Sequence, residues 1–232
     1  MGLYAAYAFN EGSGSSIIDY SGNSRNMTIS GTNSWVTGHG GYTYAFQSGA
    51  SAGNGAQWDG GTTLAALSGD VSLQVWYQHT GGTSTTTCHA GGMYSSSGTA
   101  RLSAYSYRSL SGVAGSPEFT VRDSAGTIIS IADTSNTADG NWHNAALVYH
   151  SSGLMEEYLD GTLVSSSSPT VNPIGTTVRF IGVGFILSGS FAQANVQDMR
   201  VFTSALTAQD VTTYMNTPVV SVSPSLMMAG FP

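Results

Sequence analysis

The sequence contains no lysine. All six basic residues are arginines (Arg25, Arg101, Arg108, Arg122, Arg179 and Arg200), and they are scattered singly. Nucleic-acid binding draws on clustered Lys or Arg to displace phosphate counterions, so that class is excluded. Charge of either sign is scarce, at 8% of residues against roughly 25% in an ordinary globular domain. The balance is acidic, −7 from thirteen acidic and six basic residues. Cys88 stands alone, which excludes an intrachain disulfide and fits a small buried or half-buried thiol. No window approaches about 18 uninterrupted apolar residues, so no membrane-spanning helix is expected. Disorder is excluded too, because it goes with high charge and few aromatics, whereas 10% of these 232 residues are Phe, Trp or Tyr. The apolar stretch 3–9 has no preceding Lys or Arg and no compact hydrophobic segment after it. It reads as a strand and not as a secretion signal.

What remains is a β pattern almost throughout. Short runs rich in Val, Ile, Tyr, Phe and Thr alternate with Gly/Ser/Thr/Asn clusters, the spacing of a sandwich or barrel. Residues 71–77 put Val71, Leu73, Val75 and Tyr77 on one face and Trp76 on the other. Residues 119–123 and 127–131 flank a short Gly-containing loop and predict a hairpin. Residues 142–149 form a longer strand. Residues 155–159 and 162–164 meet at Asp160–Gly161, among the strongest two-residue hairpin signals. Residues 178–183 and 195–202 complete the set. One helix is expected over 208–215, with Thr207 as its cap, Asp210 as capping-box partner, and Leu206 and Val211 as a hydrophobic staple. Residues 217–232 form a distinct tail with three prolines and no charge. They suit neither a helix nor a central strand and are too apolar for a solvated linker.

Several segments carry a family resemblance. Residues 7–14, 19–23 and 27–31 resemble the opening of a laminin-G-like, concanavalin-A-like jelly-roll domain, continued by 35–41 and 45–46. Residues 68–76 resemble its next core strand. Asp139-Gly-Asn-Trp-His-Asn-Ala-Ala-Leu-Val-Tyr149 resembles its most recognisable segment, with 158–164 as the following hairpin and 196–211 as the closing strand and helical turn. The resemblance runs over about 3–216 and matches 80–118 poorly. It implies an all-β fold, a sandwich of two antiparallel sheets with one short helix near the C-terminus. The expected organisation is a jelly-roll domain over 1–216 and a docking tail over 217–232.

Such jelly rolls frequently carry a structural calcium ion, and Asp19, Asn23 and Asp198 stand at the matching places. Two carboxylates, an amide, loop carbonyls and water would satisfy an ion that takes 6–8 oxygens. The other reading is that Asp19 and Asn23 make Asx-turns while Asp198 pairs with Arg25 or Arg200. For a glycan site, the resemblance puts Trp35, Trp76 and Trp142 on core strands, where packing accounts for them. Trp58, in a Gly-rich stretch beside Asp59, is left as the exposed candidate. Tyr105 and Tyr107 share a strand face and could form a platform, or pack on a neighbouring sheet or subunit. Catalysis is weakly supported. Glu156 and Glu157 are adjacent on a strand and face opposite ways, and the five histidines show no metal spacing. His89 beside Cys88 is adjacency in sequence only.

The resulting expectation is a non-enzymatic structural protein of a bacteriophage particle, a capsid decoration or tail/fibre component. It would be assembled in the host cytoplasm and released by lysis, and its jelly roll could touch a host-surface glycan. Val219, Val220, Leu226, Met227, Met228 and Phe231 would dock the tail on other virion proteins or on copies of the chain, in a homo-oligomer such as a trimer. The alternative is an extracellular bacterial carbohydrate-binding module or adhesin domain.

Overall fold

A computed structural model of the chain describes residues 2–49, 53–60, 69–79, 89–95, 101–106, 117–122, 127–169, 178–184 and 194–220. The first strands are β1 (Leu3–Tyr7), β2 (Ser16–Ile17), β3 (Met27–Ser30), β4 (Ser34–Thr37), β5 (Tyr44–Gln47), β6 (Gly55–Asp59), β7 (Val71–His79) and β8 (His89–Ser95). There follow β9 (Arg101–Ser106), β10 (Glu118–Arg122), β11 (Ile128–Ala132), β12 (Trp142–Tyr149), β13 (Met155–Leu159), β14 (Thr162–Ser167), β15 (Val178–Val183) and β16 (Ala194–Phe202). The helix α1 (Ala208–Met215) comes last. No helix among the described residues is long and apolar enough to cross a membrane.

Two eight-stranded antiparallel sheets form a jelly-roll sandwich. One runs β14-β13-β12-β7-β16-β5-β4, with β1 added alongside β16, and the other runs β11-β10-β9-β8-β15-β6-β3-β2. Period-2 alternation decides what each face meets. Val71, Leu73, Val75 and Tyr77 of β7 point inward and are buried with Phe46, Leu147, Met199 and Val201 of the same sheet. Phe119, Val121, Ile181 and Val183 of the other sheet meet them. Gly91 of β8 lets the sheets approach at one point. A Cβ there would lie 3.2 Å from Met199 Sδ and 3.8 Å from Leu73 Cδ2. The predicted hairpin at Asp160–Gly161 forms with both residues at positive φ, 49° and 81°, which is the geometry a two-residue turn between twisted strands requires.

The outward face of the first sheet is covered in part. Ala146, Val148 and Phe202 project outward and are buried with Tyr158 beneath Leu206 and Val211, so α1 lies on this face. Thr207 and Asp210 form the expected capping box. Gln74, fully buried, ties helix to sheet: its Nε2 donates to Asn144 Oδ1 at 2.7 Å and to the Val211 carbonyl at 2.9 Å.

Strand β16 changes partner half-way. Asn195 and Val196 pair with β5, whereas Met199 to Phe202 pair with β1. Against β7, Gln197 opposes Trp76 and Arg200 opposes Gln74, so the strand carries one extra residue, a bulge. Asp198 takes it up at φ 49°, a left-handed conformation that Asp tolerates better than most residues. Before the bulge the even positions face the core, and after it the odd ones do. Gln197 and Asp198 therefore face outward side by side.

Candidate functional site

The bulge forms the floor of a cleft of about 270 Å³ on the outer face of the first sheet. One wall is the β4–β5 loop with His39 and Tyr42; the other is the end of α1 and the chain after it, Met215 to Pro218; Trp76 lies between them. The loop is compact because Gly38 donates to the Thr43 carbonyl at 3.1 Å and Tyr42 to that of His39 at 3.1 Å. Only glycine fits at 38, since a Cβ would sit 2.5 Å from the Tyr42 carbonyl oxygen. Gln197 holds the loop down: its Oε1 accepts from the His39 amide at 2.8 Å and its Nε2 donates to the Tyr44 carbonyl at 3.0 Å.

Three rings gather here. Trp76 and Trp142 both project outward from adjacent strands, because Trp76 opposes Asn144 and Trp142 lies two residues along the same face. His39 stacks on Trp142 at 5.5 Å and 20° and leans on Trp76 at 4.7 Å and 47°. All three are half-buried. Burial pushes the His39 imidazole below its ordinary pKa, so it is neutral and behaves as a third aromatic. The Trp76 indole N–H donates to the Met215 carbonyl at 3.3 Å, which fixes the ring against the helix end.

Beneath the cleft lies a buried ion pair. Arg200 Nη2 is 3.0 Å from Asp198 Oδ1, with 6% and 4% of the two side chains exposed. Arg200 Nη1 also donates to the Tyr214 carbonyl at 2.6 Å, and Nη2 donates to that of Thr217. The last turn of α1 carries no basic residue of its own. This guanidinium, reaching up from the sheet, adds a charged donor to the Tyr214 carbonyl, which also accepts from the Thr217 amide at 3.4 Å, and complements the helix's negative pole. Asp198 Oδ2 accepts from the Tyr42 hydroxyl at 2.8 Å and from the Val219 amide at 3.0 Å, pinning the chain beyond the helix. Burial raises the Asp198 carboxyl and lowers the Arg200 guanidinium, and each charge opposes the other's shift.

The residues expected to hold calcium are not brought together. Asp19 bridges to Tyr7 on the free edge of β1, whereas Asp198 belongs to β16 on the opposite edge. With β1 between them they stand two strand spacings of about 4.8 Å apart. Asp19 accepts from the amides of Ala6, Ser21 and Arg25 and from the Ser21 hydroxyl, at 2.8–3.0 Å. Burial works against its ionisation, and these hydrogen bonds outweigh it, holding the carboxyl below its ordinary value. Asn23 turns its amide nitrogen to the carbonyls of Leu3 and Tyr4. The positive charge beside them is Arg25, which donates to the Tyr4 carbonyl at 2.8 Å and lies 3.7 Å over the Tyr4 ring. Among the described residues no cluster of three or more His, Cys, Asp or Glu is placed to hold a metal. Donors on Asp19 and an arginine on Asp198 do not fit a cation, and the Asx-turn and ion-pair reading accounts for both. We expect EDTA to leave the melting temperature unchanged, by differential scanning fluorimetry; a fall reversed by added calcium would restore the metal.

The expected glycan pair is also redistributed. Trp58 shares the inward face of β6 with Ala56 and packs against the core, edge-on to Tyr4 at 6.4 Å, with Arg25 beside it. Asp59 points the other way, its two oxygens held by Arg179 at 2.6 and 2.7 Å. Tyr105 falls within β9, and Tyr107 lies outside the described residues, as does Cys88. Trp35 packs against Phe46 as expected. Trp76 and Trp142 do not, since they face outward into the cleft region. Val219 and Val220 are half-buried, and Leu226, Met227, Met228 and Phe231 lie outside the described residues.

Comparison with known proteins agrees with this architecture. The model of the concanavalin A-like lectin/glucanase superfamily matches residues 48–212, well over half the chain. The chain belongs to that superfamily. No curated protein matches the sequence. Among solved structures, the binding domain of botulinum neurotoxin serotype D is similar at 13% identity and a TM-score of 0.69, covering 93% of this chain and 52% of its own. The binding domain of botulinum neurotoxin DC, solved in complex with rat synaptotagmin II, gives 12% and 0.70, covering 93% and 51%. That of Paraclostridial Mosquitocidal Protein 1 gives 13% and 0.68, covering 93% and 52%. At these identities the likeness is one of fold, and the chain spans about half the length of those structures.

As a lectin/glucanase-superfamily domain the chain sets its adjacent glutamates on opposite faces. Glu156 meets His150 at 2.8 Å, while Glu157 is fully buried on the other side of β13. Hydrolysis of a glycoside calls on two carboxylates about 5–9.5 Å apart across the substrate. Among the described residues the cleft has one, Asp198, already committed to Arg200, Tyr42 and Val219.

Proposed function

We propose that the protein is a non-enzymatic binding domain whose ligand is a carbohydrate held in the cleft at His39, Trp76 and Asp198. The observation that carries this reading is the ring cluster. Two indoles and a neutral imidazole stand half-exposed on an outer sheet face, beside a recess of sugar size. The C–H faces of a pyranose are suited to such π-surfaces, whose faces are electron-rich. Asn216 leaves an acceptor free at the rim, since the amide nitrogen alone is used, on the Thr212 carbonyl. The test is a glycan array followed by calorimetry on the best ligand. Trp76→Leu, which keeps apolar volume but removes the flat ring, is expected to weaken binding about two- to tenfold with the domain still folded, because a ring contact contributes about 0.5–1.5 kcal/mol. Unchanged affinity in Trp76→Leu and in His39→Ala would overturn the assignment.

The domain's mount is proposed separately, as a surface component of a bacteriophage particle that presents the jelly roll to host glycans. The support is compositional: no lysine, a single cysteine, a nearly uncharged body, and an apolar tail after Val219 and Val220. Removing residues 221–232 is expected to leave fold and cleft intact and to abolish self-association or incorporation into the particle, read by light scattering. A monomeric full-length chain would favour the alternative, an extracellular bacterial module with the same cleft.

A further inference from the structure

This inference rests on the carbohydrate reading above and narrows it to a ligand class. We infer that the cleft takes an uncharged pyranose unit and rejects sialic acids and uronates, because among the described residues its floor and walls offer a sugar carboxylate no cation, and the one charge on its floor, Asp198, is negative and already balanced by Arg200. Recognition of a sugar carboxylate calls on a guanidinium or ammonium with free donors, the strong partner for an anion removed from water. The cation nearest to the cleft is Arg200, which lies beneath it and does not line it: three of its five N–H groups go to the Tyr214 and Thr217 carbonyls and to Asp198, and only 6% of its side chain is exposed. His39 is neutral through burial.

The other cations described in detail lie elsewhere and are engaged. Arg25 sits on the Tyr4 carbonyl and ring, and Arg179 grips Asp59 on β6 of the second sheet. Lysine is absent from the chain. What the cleft does present suits hydroxyls and a C–H face: the Trp76 ring, the thioether of Met215, Pro218, and the free acceptor of Asn216.

The experiment uses the full chain and matched pairs on an array: galactose-terminated glycans against the same glycans capped with sialic acid, and glucose- against glucuronate-terminated ones. The neutral member of each pair is expected to bind at least about tenfold tighter, and the ratio is expected to persist in 0.5 M NaCl. Long-range repulsion from the overall −7 charge is screened at that ionic strength. Loss of the preference in high salt would overturn the inference by tracing it to net charge and not to the cleft lining. Equal or tighter binding of the acidic members would overturn it while leaving carbohydrate binding standing. Binding to no member of either pair would overturn both.

Discussion

Arg200→Met is expected to lower stability by about 3–5 kcal/mol, the usual consequence of removing one partner of a buried pair. For a domain of this length each kcal/mol shifts the melting temperature by roughly 2–4 °C, so a fall of roughly 6–20 °C should be seen by circular dichroism. The change takes the guanidinium from the Tyr214 and Thr217 carbonyls, the first of which keeps the Thr217 amide, and leaves Asp198 as a lone buried carboxylate beside Tyr42 and Val219. The damage should be concentrated in that carboxylate. The double variant Arg200→Met/Asp198→Asn is therefore expected to regain a large part of the loss, because no unpaired charge remains. Arg200→Lys should stay close to Arg200→Met, since a single ammonium does not reproduce the forked contact to two carbonyls and a carboxylate. A loss under 1 kcal/mol, or a double variant no better than the single one, would show that the pair does not hold the end of α1 to the sheet.

That result bears on how the cleft arises from the chain. The strands, the Asp160–Gly161 turn and the capped helix follow from local signals, and alternation along residues 71–77 already sends Trp76 away from the core. The family likeness to core strands obscured that outward position for Trp76 and Trp142. Trp58 misleads in the opposite sense. Its Gly-rich surroundings suggest exposure, yet it shares a face with Ala56, and that face turns inward. The cleft itself has no local signature. Residues 39, 76, 197–198 and 215–218 come together only through sheet order, and Gln197 and Asp198 share a face only because of a bulge whose residue is an ordinary Asp. Arg200 is likewise invisible in sequence as a helix cap, since it lies on a strand before the helix it serves.

The neighbouring histidine, His143, provides a pH dependence that arises from geometry. Its Nδ1 lies 2.9 Å from Asp160 Oδ2 and its Nε2 lies 3.1 Å from Asp139 Oδ1. A neutral imidazole has one N–H and could serve only one of these carboxylates, turning a lone pair toward the other; the imidazolium serves both. The hydrogen bond from the imidazole to the Asp160 carboxylate raises the imidazole's pKa above its ordinary value, burial opposes this, and Asp139 adds to the rise. Asp139, held at about 2 by the amide and side chain of Asn141, stays ionised across the range that matters. The folded state thus binds this proton more tightly than the unfolded chain does. The stabilisation is fully present below the ordinary histidine pKa of about 6.5 and is lost as pH rises through the higher folded value. With Asp139 and Asp160 substantially exposed, the two contacts together are worth roughly 1 kcal/mol. Urea unfolding of the natural chain and of His143→Gln should therefore differ most near pH 5.5 and converge near pH 9. A gap that stayed constant with pH, or widened on going alkaline, would mean that the imidazole packs there uncharged. The clamp joins the 139–141 loop to the 160–161 turn, one residue from Trp142, so its loosening at high pH should also be felt as weaker stacking on His39.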